Sequence, residues 1–161
     1  MQQVSENTNQ VNESHHNVAI IGTGFAGLCM AIRLKQQGEE DFVLYEKAGD
    51  LGGTWRDNTY PGCGCDVPSS LYSLSFERNP NWSEKFASQS EILQYLHRLT
   101  KKYRVEQNIK FRTEITAMVW DQARNCWHLT TANGKQFTAA VVISAMGGLH
   151  VPSTANISGR E

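Results

Sequence analysis

Short apolar runs separated by a helical pattern set the organisation of the first third of the chain. Val18–Ile21 and Phe42–Tyr45 are four-residue apolar runs of the kind that forms buried parallel strands. Between them, Phe25–Gln37 carries a helical pattern, and Gly38 follows where a helix end favours a left-handed residue. The order strand, helix, strand predicts a β-α-β unit of an α/β fold.

A second helix and a series of strands follow. Ser88 and Glu91 have the spacing of a capping box, and apolar residues then recur at helical spacing as far as Tyr103, which predicts a helix. From Ile109 onward the period changes to two, and Asn133-Gly134 is a strong hairpin signal. The predicted strands are Ile109–Phe111, Ile115–Asp121, Trp127–Thr131, Lys135–Ala139 and a last apolar one, Val141–Ala145.

These elements predict one α/β domain, a Rossmann-like parallel sheet with an inserted antiparallel β-meander. Residues 18–161 form this domain, and the polar residues 1–17 are expected to be a disordered tail. His15 and His16 in that tail lack further ligands at metal-binding spacing, so we predict no metal site there.

Composition narrows the classes of partner and compartment. The net charge of -1 gives no electrostatic reason to expect nucleic acid. No apolar run approaches the roughly 20 residues that span a bilayer, so no membrane partner is predicted. The four cysteines lack the spacing of a disulfide framework, which favours reduced thiols and a cytoplasmic protein.

A glycine-rich turn joins the first strand to the first helix. Gly22, Gly24 and Gly27 form a G-x-G-x-x-G motif, in which the glycines allow the tight turn, the approach of a pyrophosphate and close helix packing. Glu46 ends the second strand nineteen residues after Gly27, where an acid accepts hydrogen bonds from a ribose. Similar turns that bind nothing are common, as are surface glutamates, but their combination in this order predicts a nucleotide site.

A second glycine turn supplies a more specific pattern. Gly52–Trp55 is followed after four residues by Tyr60–Gly62 and after three more by Asp66. On these residues the chain resembles the flavin-dependent monooxygenases that use FAD and NADPH, in particular the Baeyer–Villiger monooxygenases. The likeness extends over Ser69–Phe76 and Asn79–Ser83.

The last apolar strand also resembles the family. With the Gly147 that follows it, the strand is similar to the family's Ala-Thr-Gly crossover, although Met146 replaces the usual threonine.

The resemblance implies an oxidoreductase in which FAD is the cofactor and NADPH reduces it. The residues it implies for cofactor binding are Gly22, Gly24, Phe25, Ala26, Gly27, Glu46, Gly53, Thr54, Trp55, Asp66, Tyr72 and Ile115. Asp66 is the candidate catalytic residue, expected beside the isoalloxazine. The alternatives are that Trp55 and Tyr72 are core aromatics and that Asp66 is a turn residue. In the complete enzyme, the substrate is expected to be a small ketone, converted to an ester, or a heteroatom compound.

Two family motifs do not occur in these 161 residues: a second G-x-G-x-x-G for NADPH and the fingerprint F-x-G-x-x-x-H-x-x-x-W. We therefore expect a truncated N-terminal part of the FAD-binding domain, with an incomplete sheet, no NADPH domain and no turnover by this chain alone. The exposed apolar edge of such a sheet predicts aggregation.

Other functions are left open by the sequence. One is a non-catalytic FAD- or ADP-binding remnant, and another is a segment of a heteroatom-oxidising flavin monooxygenase. A third makes Cys63-Gly64-Cys65 a redox or metal pair, which we disfavour because one intervening residue strains a disulfide and no second ligand pair is present.

Overall fold

The computed structural model of the protein describes residues 14–148 and 153–159. Within these ranges, six strands form one mixed sheet in the order β3-β2-β1-β6-β5-β4. The strands are β1 (Ser14–Ile21), β2 (Phe42–Tyr45), β3 (Ile109–Lys110), β4 (Ile115–Asp121), β5 (Cys126–Thr131) and β6 (Gln136–Ser144). The helices are α1 (Phe25–Gln36), α2 (Thr54–Asp57) and α3 (Gln89–Lys102), with short 3-10 turns at Ser69–Leu71 and Glu106–Asn108.

The parallel half of the sheet carries the main core. β1 pairs in parallel with β2 and β6, and β2 pairs in parallel with β3. Apolar side chains from α1 and α3 pack against this half in one buried cluster, which includes Ile20, Leu28, Leu44, Ile92 and Leu96. The carboxyl ends of β1, β2 and β6 therefore meet at one edge of the sheet, where α/β folds bind their ligands.

The first strand begins earlier than the sequence predicted. β1 starts at Ser14, so residues 14–17 are strand and not part of a disordered tail. Their polar side chains find partners: His15 Nδ1 lies 3.0 Å from Thr138 Oγ1, and His16 Nδ1 lies 3.0 Å from Asp41 Oδ1. The hydrophobic pattern did not predict this part of the strand, because its side chains are polar, are mostly exposed and form hydrogen bonds at the surface. Residues 1–13 of the predicted tail lie outside the described residues.

The two strands predicted at Lys135–Ala139 and Val141–Ala145 are one continuous strand, β6. Its first half pairs antiparallel with β5, and it pairs in parallel with β1 from Phe137 to Ser144. The antiparallel strands therefore extend the parallel sheet directly. Met118, Leu129 and Phe137 pack in a second cluster with buried side chains of β1 and β2, so the hairpin contributes to the core on the face away from the helices. The predicted α/β class with parallel and antiparallel parts is confirmed.

Candidate functional site

A cleft of about 750 Å³ lies at the carboxyl ends of β1, β2 and β6. β1 lies between β2 and β6 in the sheet, so the order of the parallel strands changes direction at β1. Such a switch point is where open α/β sheets bind their ligands. Of the residues that the sequence singled out, those that line the cleft are Gly22, Gly24, Phe25, Ala26, Glu46, Gly53, Thr54, Trp55, Tyr72 and Ile115. Gly27 and Asp66 do not line it.

Two glycines of the first turn, Gly22 and Gly27, are packed too closely to carry side chains. Gly22 has a φ of +105° and its N–H donates to the Tyr45 carbonyl at 2.9 Å, while a Cβ on Gly22 would lie 2.6 Å from the Ala145 carbonyl oxygen. A Cβ on Gly27 would lie 2.0 Å from the carbonyl oxygen of Gly22. Gly27 therefore fulfils the packing role of the third glycine and is not a lining residue.

The two glycine turns face each other across the cleft floor. A Cβ on Gly24 would come no closer to its surroundings than 4.0 Å, from the Cα of Gly53, so Gly24 has room beside it. The Gly52 N–H donates to the Thr23 carbonyl at 3.0 Å and fastens one turn to the other. Gly24 also caps α1 without a side-chain hydrogen bond, so no capping side chain covers the first-turn N–H groups.

Glu46 is a buried carboxylate, 4% exposed, at the end of β2. Its Oε2 accepts hydrogen bonds from Thr23 N at 3.1 Å and Thr23 Oγ1 at 2.6 Å, and its Oε1 accepts from Ala48 N at 2.9 Å. Arg56 Nη1 lies 3.0 Å from Oε1. Burial acts to raise the pKa of Glu46, but the hydrogen bonds from Thr23 and Ala48 and the charge of Arg56 outweigh it and lower that pKa. Glu46 is therefore ionised at neutral pH.

Thr23 and Arg56 are functional candidates that the sequence did not single out. Both occupy positions that vary in the motifs: Thr23 is the residue between the first two glycines, and Arg56 follows the motif tryptophan. Arg56 and Glu46 both line the cleft. The carboxylate thus joins the two glycine turns through side chains that no fixed motif position specifies.

Trp55 and Tyr72 belong to the cleft wall and to the core at once. Trp55 is 9% exposed, and its Nε1 donates to the Tyr72 hydroxyl at 3.0 Å. The Tyr72 ring packs edge-on against Trp55 and against Phe25, with centroids 5.6 Å and 5.0 Å apart. Both aromatics pack in the main core cluster while lining the cleft.

The structure places Asp66 on an exposed loop. The preceding residue, Cys65, is buried and its N–H donates to the Ala87 carbonyl at 2.9 Å, which anchors the loop beside the start of α3. The structure does not bring Asp66 to the cleft, and its catalytic role stays a prediction.

The described part of the chain also bears on membrane and metal binding. Over residues 14–148 and 153–159, no helix combines the length and hydrophobicity needed to cross a bilayer. The same residues contain no group of three or more His, Cys, Asp or Glu side chains that could hold a metal ion. All four cysteines are free thiols, including Cys63 and Cys65.

The fold and cleft define a Rossmann-type dinucleotide-binding domain. A family model described as an NAD(P)-binding Rossmann-like domain matches residues 20–89. A Baeyer-Villiger monooxygenase of Pseudomonas aeruginosa is 52% identical over 147 residues, 91% of this chain and 28% of the relative. One from Streptomyces coelicolor is 47% identical over 152 residues, 94% of this chain and 29% of the relative.

Solved structures agree with these relatives. The crystal structure of OTEMO in complex with FAD and NADP superposes with a TM-score of 0.83 at 32% identity and covers 90% of this chain and 28% of that one. Over about nine tenths of its length the chain is thus similar to Baeyer–Villiger monooxygenases, as the motif around Trp55 predicted. It spans little more than a quarter of the length of the relatives it matches.

Proposed function

We propose that this chain is the N-terminal FAD-binding segment of a Baeyer–Villiger-type flavoprotein monooxygenase. One observation carries the proposal: two glycine turns that are 25 or more positions apart in the chain meet with Glu46 at a single cleft. The solved relative in complex with FAD and NADP supports the choice of cofactor.

The residues of the cleft fit a dinucleotide. Its floor is bare backbone at Gly24 and Gly53, and a side chain on Gly24 would fill the space between the turns. The start of α1 offers N–H groups and the positive end of the helix dipole to a pyrophosphate. Glu46, ionised and buried, is suited to accept hydrogen bonds from ribose hydroxyls.

The flavin side of the site is assigned to the aromatic wall. We assign Thr54, Trp55 and Tyr72 to the flavin, and the backbone of Ile115 to adenine, because all four line the same cleft as the glycine turns. Asp66 is proposed to act near the flavin in the complete enzyme, as the family resemblance implies.

The chemistry belongs to the cofactor, since a flavin reduced by NADPH activates O2 for oxidation of a ketone to an ester. The names of the relatives favour a small ketone over a heteroatom compound as the substrate of the complete enzyme. The four free thiols support a cytoplasmic location, where thiols are kept reduced.

A titration of the apoprotein with FAD tests the proposal. Quenching of tryptophan fluorescence is expected to saturate at one FAD per chain, because Trp55 lines the cleft. A parallel titration with ADP measures how much of the FAD affinity comes from the adenosine diphosphate half of the cofactor. Equal affinity for FAD and ADP would favour an ADP-binding module, and failure of both to bind would contradict the proposed function.

A further inference from the structure

The ion pair of Glu46 and Arg56 is largely shielded from solvent. The Glu46 side chain is 5% exposed and the Arg56 side chain 15% exposed, with Oε1 and Nη1 3.0 Å apart. The pair links the end of β2 to α2, which begins directly after the second glycine turn. A buried pair of this kind is sensitive to loss of either partner, because the remaining charge is left uncompensated.

The guanidinium of Arg56 is fixed by two further groups. Its Nε and Nη2 donate to the two carboxylate oxygens of Asp57 at 2.7 Å and 2.8 Å, the planar bidentate geometry that orients arginine. Its Nη1 also donates to the Asp50 carbonyl at 2.6 Å. Arg56 therefore has one orientation, in which it points at Oε1 of Glu46.

We propose that Arg56, oriented by Asp57, is a positioning residue that holds Glu46 in place for the ribose hydroxyls of FAD. The inference rests on the proposed function and deepens it, because it makes nucleotide affinity depend on the second glycine turn as well as the first. Arg56 acts through Glu46. It does not donate to the phosphates, which bind at the first glycine turn.

The positioning follows from how the carboxylate is held. Oε2 is fixed by both donors of Thr23, and Oε1 by Ala48 N and Arg56, so each oxygen is held from two directions. Without Arg56, Oε1 keeps one backbone donor and the plane of the carboxylate is less restrained. Burial then raises the pKa of Glu46 with no cation to oppose it, and a protonated carboxyl accepts hydrogen bonds less well.

Other charged groups surround the pair. Those on the elements packed against Glu46 are Lys47, Asp50, Asp57, Lys110, Arg112 and Glu114. The charge that lowers the pKa of Glu46 is that of Arg56. The Asp50 side chain is exposed, and its Oδ2 lies 3.3 Å from His97 Nε2.

The test measures FAD affinity as a function of pH. Arg56→Met is expected to weaken FAD binding about tenfold or more, the scale of one charge-assisted hydrogen bond. It also moves the acid limb of the affinity profile to higher pH. Arg56→Lys restores the position of the acid limb in part, and Asp57→Asn weakens binding while leaving the arginine charge in place. Arg124→Met is the matched control, since Arg124 pairs with Asp121 at 3.7 Å on an exposed hairpin.

The outcomes separate this inference from the proposed function. Wild-type affinity retained in Arg56→Met, or lost equally at every pH, would overturn the positioning role while FAD binding by the wild type stands. A rise in affinity would make Arg56 a competitor for the carboxylate and would equally overturn it.

A second readout needs no ligand. The pKa of Glu46, followed by NMR in the apoprotein, is expected to rise in Arg56→Met, or in Arg56→Gln if the first variant does not fold, and to rise less in Arg56→Lys, which keeps the positive charge. An unchanged pKa would overturn the inference, even where the wild type binds no FAD.

Discussion

The indole Nε1 of Trp55 donates to the hydroxyl of Tyr72 at 3.0 Å, and the two side chains together form a wall between the cleft and the core. Trp55 is 9% exposed, so this donor has little access to water. The bond joins the motif tryptophan of α2 to the segment that follows the Ser69–Leu71 turn. The wall is held by a polar contact as well as by ring packing.

Tyr72→Phe is expected to lower the free energy of unfolding by about 1–3 kcal/mol, the cost of a buried donor left unpaired. Urea denaturation followed by circular dichroism measures the change. Tyr60→Phe is the matched control, because Tyr60 is 62% exposed. Equal stability of wild type and Tyr72→Phe would show that the indole finds water in place of the phenol.

Gly27→Ala is expected to destabilise the fold through steric overlap. Its Cβ would lie 2.0 Å from the Gly22 carbonyl oxygen, so the helix must move away from the glycine turn. Overpacking of this kind costs about 1–3 kcal/mol or more. Thermal unfolding of Gly27→Ala and of Gly148→Ala, where nothing lies within 4 Å, makes the comparison. Equal melting temperatures would contradict the close packing.

The elements that the sequence predicted well are those specified by local pattern. β2 has its predicted bounds, Gly38 ends α1 with a φ of +83°, and Ser88 accepts from Glu91 N at the start of α3. The capping box is only half formed, because the Glu91 carboxylate accepts from Ser83 N and Oγ instead. A competing partner eight residues away is a tertiary contact that the local spacing does not contain.

The remainder depends on contacts between distant segments. The start of β1 was missed because its polar residues bond to Asp41 and Thr138. β6 was divided because only its first half pairs with β5, whereas its pairing with β1 runs from Phe137 to Ser144. The support of Glu46 by Arg56 was missed for the same reason. Most of the residues predicted from the motifs line the cleft, but Gly27 and Asp66 do not, and the side chains that hold Glu46 come from variable motif positions.

Acid is expected to destabilise the protein partly through Glu46. Its pKa in the folded chain is below its ordinary value of 4.5, so its contribution to stability is complete above that value and is lost as pH falls through the folded-state pKa. The urea concentration at the unfolding midpoint of the wild type is therefore expected to decrease as the pH is lowered below 4.5. The midpoint of Glu46→Gln is expected to be lower at neutral pH and to decrease less with acid. Parallel profiles for the two proteins would assign the acid sensitivity to other carboxylates.

The outer edge of the sheet is expected to promote self-association. β4 is an edge strand, with Val119 62% exposed and Trp120 37% exposed, and its sequence Ile115–Asp121 contains no Lys or Pro. Edge strands without such residues tend to pair between copies along their open side, and a lysine blocks this pairing by placing a charge at the contact. Val119→Lys is therefore expected to raise the highest protein concentration at which light scattering still shows a monomer. Val67→Lys, at an exposed valine outside the sheet, is the control, and equal gains from both variants would point to net charge and not to the edge of β4.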